Sequence, residues 1–119
     1  SVKYAKERSV FGAPLGSYQI TMQKLTEMAI KIEALRGFVY KSAWLVDNGT
    51  PDYTLAAMGK YLGGQTAVFC ANAGVEIHGG YGYMDEYDVQ KWYRDAKILE
   101  LYEGTKEAEI MTIGKLLQK

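Results

Sequence analysis

A chain of 119 residues, 48% of them apolar, is long enough for one domain with its own core and too short for two. Fourteen Lys and Arg balance fourteen Asp and Glu, which excludes the long-range field that draws a protein to nucleic acid or to an anionic membrane surface. The single cysteine, Cys70, excludes an internal disulfide and fits a reducing compartment; no Cys/His cluster points to a metal, and no signal peptide or apolar run of membrane-spanning length appears, so the chain reads as soluble.

The chain opens inside a helical pattern, Val2 to Arg8, with only Ser1 as a cap. Phe11-Gly12-Ala13-Pro14-Leu15-Gly16-Ser17 cannot continue it, because two glycines and a proline break the helix, and it reads as a loop. With Ser17 as N-cap, a long helix runs to Asp47, its apolar stripe at Leu25, Met28, Ile32, Leu35, Val39 and Val46 interrupted at Ser42. At 1.5 Å per residue it would span roughly 40 Å, a length normal for a bundle. Asp47-Asn48-Gly49 ends it, and Thr50-Pro51 reads as the N-cap and first position of a second long helix reaching about Ile77. Gly59, Gly63, Gly64, Ala67, Ala71 and Gly74 lie along that helix, and close helix-to-helix contact is the expected reason for so many small residues. His78 to Met84 is a glycine-rich loop. A further helix from about Asp88 to Tyr102 presents Val89, Trp92, Ala96 and Leu99 on one face, and Thr105 caps a last helix with Ile110, Ile113 and Leu117 as its buried stripe.

The pattern predicts an all-α helical bundle with three chemically loaded interruptions. Arg8 and Phe11 at the first suit a phosphate or a planar ring, but an Arg near a helix C-terminus also serves the helix dipole. In the second, Gly79 and Gly80 let the backbone approach a ligand closely, although the spacing is neither a Walker loop nor a Rossmann fingerprint. His78 has no nucleophile or acid partner visible in the sequence and reads as structural. In the third, Glu103 sits at a helix break between Tyr102 and Gly104, either as a functional carboxylate held by rigid helices or as a solvated connector. Arg94, Asp95 and Lys97 read as ordinary ion-pairing residues.

All three interruptions, in this order and spacing, resemble the C-terminal helical domain of the acyl-CoA dehydrogenase family across the whole chain. Arg8-Ser9-Val10-Phe11-Gly12 followed by Tyr18-Gln19 resembles that family's Arg-x-x-Phe-Gly turn and the start of its next helix. Glu76-Ile77-His78-Gly79-Gly80-Tyr81-Gly82 resembles its Gln-Ile-x-Gly-Gly-x-Gly loop, and Arg94-Asp95-Ala96-Lys97 leading to Tyr102-Glu103-Gly104-Thr105 resembles the segment with its catalytic glutamate. The resemblance implies an antiparallel, up-down bundle of four-helix type whose first helix is truncated. It implies that residues 1–119 are one domain of a longer FAD enzyme, whose helical and β domains upstream are missing here, so that this fragment alone is inactive.

The reaction so implied forms a trans-2-enoyl-CoA from an acyl-CoA: Glu103 takes the α-proton, flavin N5 accepts the β-hydride, and Tyr102, Glu103 and Gly104 contact the substrate. Arg8, Ser9, Phe11, Gln19, Glu76, Ile77, Gly79, Gly80, Thr105 and Glu107 match positions that hold FAD, in part the FAD of a neighbouring subunit, which implies a homodimer or homotetramer. Glu76 and Glu107 depart from the Gln usual in relatives and place acceptor-only negative charges near a pyrophosphate. An electron-transferring flavoprotein is the implied electron acceptor, and the cytoplasm, or the mitochondrial matrix in a eukaryote, the implied location. Two rival readings are an acyl-CoA oxidase and a non-catalytic helical module for self-association.

Overall fold

The computed structural model describes residues 1–118, and among them five α-helices dominate: α1 (Val2–Glu7), α2 (Gln19–Asp47), α3 (Tyr53–His78), α4 (Val89–Ile98) and α5 (Lys106–Leu116). The expected all-α bundle is present, drawn out to 58 × 24 × 24 Å. No described helix is long and apolar enough to cross a membrane.

Helix α3 is the axis, packing against α2, α4 and α5. Its glycines admit the neighbours. A Cβ on Gly59 would meet Phe38, one on Gly63 would meet Leu35, and one on Gly74 would come within 3.0 Å of Val89. Contact partners that descend on one helix as they ascend on the other make α2 and α3 antiparallel; Gly74 against Val89 and Gly64 against Leu99 do the same for α3 and α4. The expected close contact at the small residues is thus realised.

The inner seam of α2 differs from the expected stripe. Thr21 is buried, and Leu25, Met28, Leu35, Phe38, Ser42 and Leu45 are half-buried, whereas Ile32 (40% exposed), Val39 (52%) and Val46 (62%) face outward. Thr21, Met28, Leu35 and Ser42 recur every seven residues, the period that keeps one seam against a neighbouring helix, so Ser42 lies on the seam rather than in a gap. Ile110 and Leu117, also expected inside, are 50% and 67% exposed, and Trp92 is 65% exposed.

Two caps also move. Tyr18, not Ser17, precedes α2, and the Ser17 hydroxyl donates to the Pro14 carbonyl (2.7 Å). Asp52 caps α3 in place of Thr50, its carboxylate accepting from the Leu55 N–H (2.9 Å), which leaves Pro51 outside the helix. Thr105 caps α5 as expected, accepting from the Ala108 N–H (3.2 Å).

The first interruption is more ordered than a loop. Strands β1 (Ser9–Val10) and β2 (Ala13–Pro14) pair antiparallel around Phe11 and Gly12, both at positive φ (48° and 83°), as a two-residue turn of type I′ requires. The Tyr18 hydroxyl donates to the Val10 carbonyl (2.6 Å) and ties this hairpin to the start of α2.

Candidate functional site

The residues singled out in the sequence gather in two places along α3. At its C-terminal end, Arg8, Glu76, Ile77, Gly79 and Gly80 line one groove. Gly79 adopts φ 61° and ψ −138°, a conformation that only glycine holds without strain, and thereby ends α3 and turns the chain into the short 3-10 helix Gly79–Tyr83. A Cβ on Gly79 or Gly80 would meet nothing within 4 Å, so the bare backbone faces open space. The Arg8 guanidinium lies 5.2 Å from the centre of the Tyr81 ring, and Phe11, at the hairpin tip, is 99% exposed. Ser9 on β1 and Gln19 in the first turn of α2 are exposed and do not line the groove. A cation, a naked glycine backbone and a projecting aromatic ring fit a ligand with phosphates and a planar ring, as FAD has.

His78 is held for structure. Its ring stacks on Tyr4 (4.0 Å between centres) and meets Tyr87 edge-on, while Nδ1 lies 2.7 Å from the Gly74 carbonyl, which can only accept, so Nδ1 carries the proton.

Glu76 is already engaged. Its carboxylate pairs with Lys24 of α2 and accepts from Asn72 Nδ2 (2.9 Å). The Lys24 hydrogen bond first, and that of Asn72 second, hold its carboxyl below the ordinary carboxylate value. A carboxyl depressed in the folded state stabilises the fold above its unfolded value, and that contribution is lost as pH falls through the folded one. Thermal melts should therefore show the protein losing stability in that acid window, and a Lys24→Met variant losing less; equal acid slopes would refute the bridge.

The second cluster lies nearer the middle of α3. Beyond α4 the chain makes a tight turn through Leu99 to Gly104 before α5 begins. Gly64 is buried against it: a Cβ there would approach the Leu99 carbonyl to 3.0 Å and Glu100 Cα to 3.3 Å. Lys60, one turn earlier on α3, donates from Nζ to the carbonyls of Leu99 (2.7 Å) and Gly104 (3.3 Å) and sits 5.6 Å from the centre of the Tyr102 ring. The Lys106 N–H closes the turn onto the Glu100 carbonyl (3.0 Å). Lys97 pairs with Glu100, and that hydrogen bond raises the lysine's pKa and lowers the glutamate's.

Within this pinned turn Glu103 has φ 53° and Gly104 φ 105°. A left-handed conformation costs a non-glycine residue about 1–2 kcal/mol. The only two such residues among those described, Phe11 and Glu103, are both site candidates. The Glu103 side chain is exposed, and no described side chain forms an ion pair with it. The described residues thus leave this carboxylate open rather than desolvating it. Thr105 and Glu107 occupy the start of α5 beside the turn, where Glu107 and Glu109 offset the positive end of the helix. Beside the cluster an apolar groove of about 590 Å³ opens between α2 and α3, lined in part by Ile32, Val39, Lys60, Cys70 and Tyr102. Burial pushes the Cys70 thiol up, with Lys31 partly opposing.

Lys60, Lys24 and Asn72 are the contributors that sequence reasoning missed. Lys60 carried one signal, a lone cation one turn from Gly64 on a face otherwise made of small and apolar residues.

Residues 1–118 match the family model described as "Acyl-CoA dehydrogenase, C-terminal domain". The chain is 43% identical over 119 residues to the Probable acyl-CoA dehydrogenase YngJ of Bacillus subtilis (strain 168), covering 100% of this chain and 31% of that protein. It is 42% identical to the Acryloyl-CoA reductase (NADH) of Anaerotignum propionicum, over 100% of this chain and 30% of the relative. The solved structure of butyryl-CoA dehydrogenase from Megasphaera elsdenii superposes with a TM-score of 0.96 at 42% identity, over 99% of this chain and 31% of that one. The chain thus spans about three-tenths of the length of these relatives. With the family model matched over residues 1–118 and the helical fold superposing on a solved relative, the chain belongs to the acyl-CoA dehydrogenase family, as its C-terminal domain.

Proposed function

We propose that this domain works within a longer FAD enzyme that introduces a trans double bond between Cα and Cβ of an acyl-CoA thioester, with Glu103 as the base that removes the α-proton. The observation that carries this reading is the left-handed Glu103, held at a turn pinned to α3 from both sides. Strain kept in a residue by its surroundings is characteristic of sites whose geometry matters for chemistry. FAD, when bound, supplies the acceptor for the hydride leaving Cβ.

The chain's own residues have separate tasks. Glu103 offers a carboxylate to the α-proton and its backbone N–H to the thioester carbonyl, whose polarisation makes that proton acidic enough to remove. Gly104, at which the place of a side chain is taken by the Glu109 carboxylate, and Tyr102 border the space assigned to the acyl chain. At the other cluster Arg8 pairs with phosphate oxygens, Gly79 and Gly80 give the ligand a bare backbone to lie on, with Ile77 behind them, and Phe11 presents a ring face. Ser9 and Gln19 complete that side, while Thr105 and Glu107 border the cofactor near the base. Glu76 and Glu107 accept only, so they suit hydroxyl or amino donors rather than phosphates.

The two clusters are separated by half the length of α3, about 22 Å from Gly64 to Gly79, which supports their serving two cofactors in a homodimer or homotetramer. Exposed Ile20, Ile30, Tyr40, Trp44 and Tyr53 on α2 and α3 supply apolar surface for such assembly and for the rest of the longer chain. An electron-transferring flavoprotein as acceptor and a cytoplasmic or mitochondrial-matrix location complete the reading.

Titrating the full-length protein with acyl-CoAs of graded length should bleach its oxidised flavin band, and the electrons should pass on to an electron-transferring flavoprotein. Peroxide released in air as fast as substrate is consumed would mark an oxidase, and an unbleached flavin would leave only a binding or scaffolding role.

A further inference from the structure

We infer that Lys60 is a positioning residue for the proton-abstracting turn, an inference that rests on Glu103 being the base. The Lys60 ammonium is half-buried, and no described carboxylate pairs with it. It uses its donors on two backbone carbonyls instead, those of Leu99 at 2.7 Å and Gly104 at 3.3 Å. Leu99 lies at the C-terminal end of α4, where unpaired carbonyls carry the negative end of the helix dipole, so a cation there has an ordinary capping role. The bond to Gly104 goes further. Gly104 is beyond Glu103, and its carbonyl reaches the same nitrogen only because Glu103 and Gly104 both take positive φ and reverse the chain. One ammonium therefore brackets the base from either side.

The anchor is rigid. Lys60 projects from the middle of α3, and Gly64, one turn on, lets the turn's backbone approach that helix to van der Waals contact. The Tyr102 ring, 5.6 Å from Nζ, limits the ammonium's freedom from the groove side. Charge-assisted bonds to two carbonyls are stronger than neutral ones, and without them nothing else from α3 holds the Glu103 side of the turn among the described hydrogen bonds. A base displaced by 1 Å loses on the order of 10²-fold in rate, so the effect of Lys60 belongs in the chemical step.

The test uses the full-length, flavin-loaded enzyme. In Lys60→Met, which keeps the apolar stem, kcat should fall roughly 10- to 100-fold with KM nearly unchanged. The isotope effect on kcat with α-deuterated substrate should rise, because proton abstraction becomes slower relative to every other step, while flavin content stays at the wild-type level. Lys60→Arg, which retains charge and donors, should recover most of the loss. If Met at this position loosens the fold, Lys60→Gln provides the same comparison with neutral donors on a shorter stem, and the raised isotope effect is again expected. Wild-type kcat and isotope effect in Lys60→Met or Lys60→Gln, beside an inactive Glu103→Gln, overturn the role of Lys60 alone. Full turnover in Glu103→Gln overturns the reading beneath it, and this inference with it.

Discussion

Replacing Glu103 by Gln in the full-length enzyme should lower kcat by about 10³- to 10⁴-fold, the upper range for loss of a general base. The substitution removes the carboxylate assigned to the α-proton, yet keeps the side-chain volume and the backbone N–H assigned to the thioester carbonyl. Binding of acyl-CoA and retention of flavin should therefore survive, so that the loss falls on kcat and not on KM. Stopped-flow measurement of flavin reduction separates the two. A non-catalytic bundle predicts unchanged turnover, and that outcome would dispose of the assignment. Glu103→Gly gives a second view of the same residue, because glycine occupies φ 53° without strain. It should be as inactive as Gln yet more stable by about 1 kcal/mol, the opposition of stability and activity expected where geometry has been kept for chemistry.

The largest effect on folding should come from Gly82→Ala. A Cβ at this buried glycine would stand 2.5 Å from the Val75 carbonyl oxygen and 3.0 Å from Val75 Cα and His78 Cβ. Two of these three atoms are backbone of α3 and cannot rotate aside, so the 3-10 turn must lift from the helix and disturb the Tyr4, His78 and Tyr87 cluster beneath it. Overpacking of this kind costs about 1–3 kcal/mol and occasionally more, and the backbone contacts place Gly82→Ala at the upper end. Denaturant unfolding measures it, and a change under 0.5 kcal/mol would show that the turn shifts freely. Gly80→Ala is the matched control. Nothing lies within 4 Å of its added methyl, so stability should hold while flavin retention weakens if the cofactor rests on that backbone.

Much of this architecture was legible before any coordinate, and the failures have physical causes. Thr105 was readable as a cap because a single good capping residue stands before a long apolar pattern. At the start of α3, Thr50, Pro51 and Asp52 compete within three positions, and the residue able to reach the Leu55 N–H decides. Ile32, Val39, Ile110 and Leu117 read as core because periodicity marks apolar faces without saying what covers them. Here they line open grooves or the outer surface, as suits a domain whose relatives are about three times its length. Ser42 reads as a gap because its residue type is polar, although its place in the seven-residue period puts it on the seam.

Glu103 was visible as a carboxylate at a helix break, but its positive φ was not, since the left-handed region is rare for a residue with a Cβ and leaves no compositional mark. Lys60 lies 39 and 44 residues from the carbonyls it holds, and linear spacing does not encode such a contact. Lys24 and Glu76, 52 residues apart, were hidden for the same reason.

Helix α3 joins the two clusters as one unbroken rod, with Lys60 and Gly64 near its middle and Gly79 at its C-terminal end. Its length behaves as a ruler. Removing a single residue between Gly64 and Gly79 would draw the two clusters together by about 1.5 Å and rotate one against the other by about 100°, which turns Lys60 away from the turn it holds or the glycine loop away from its groove. Insertions and deletions that spare both sites are thereby confined to connectors such as 48–52 and 84–88, and the spacing of the two sites is fixed in units of helical rise.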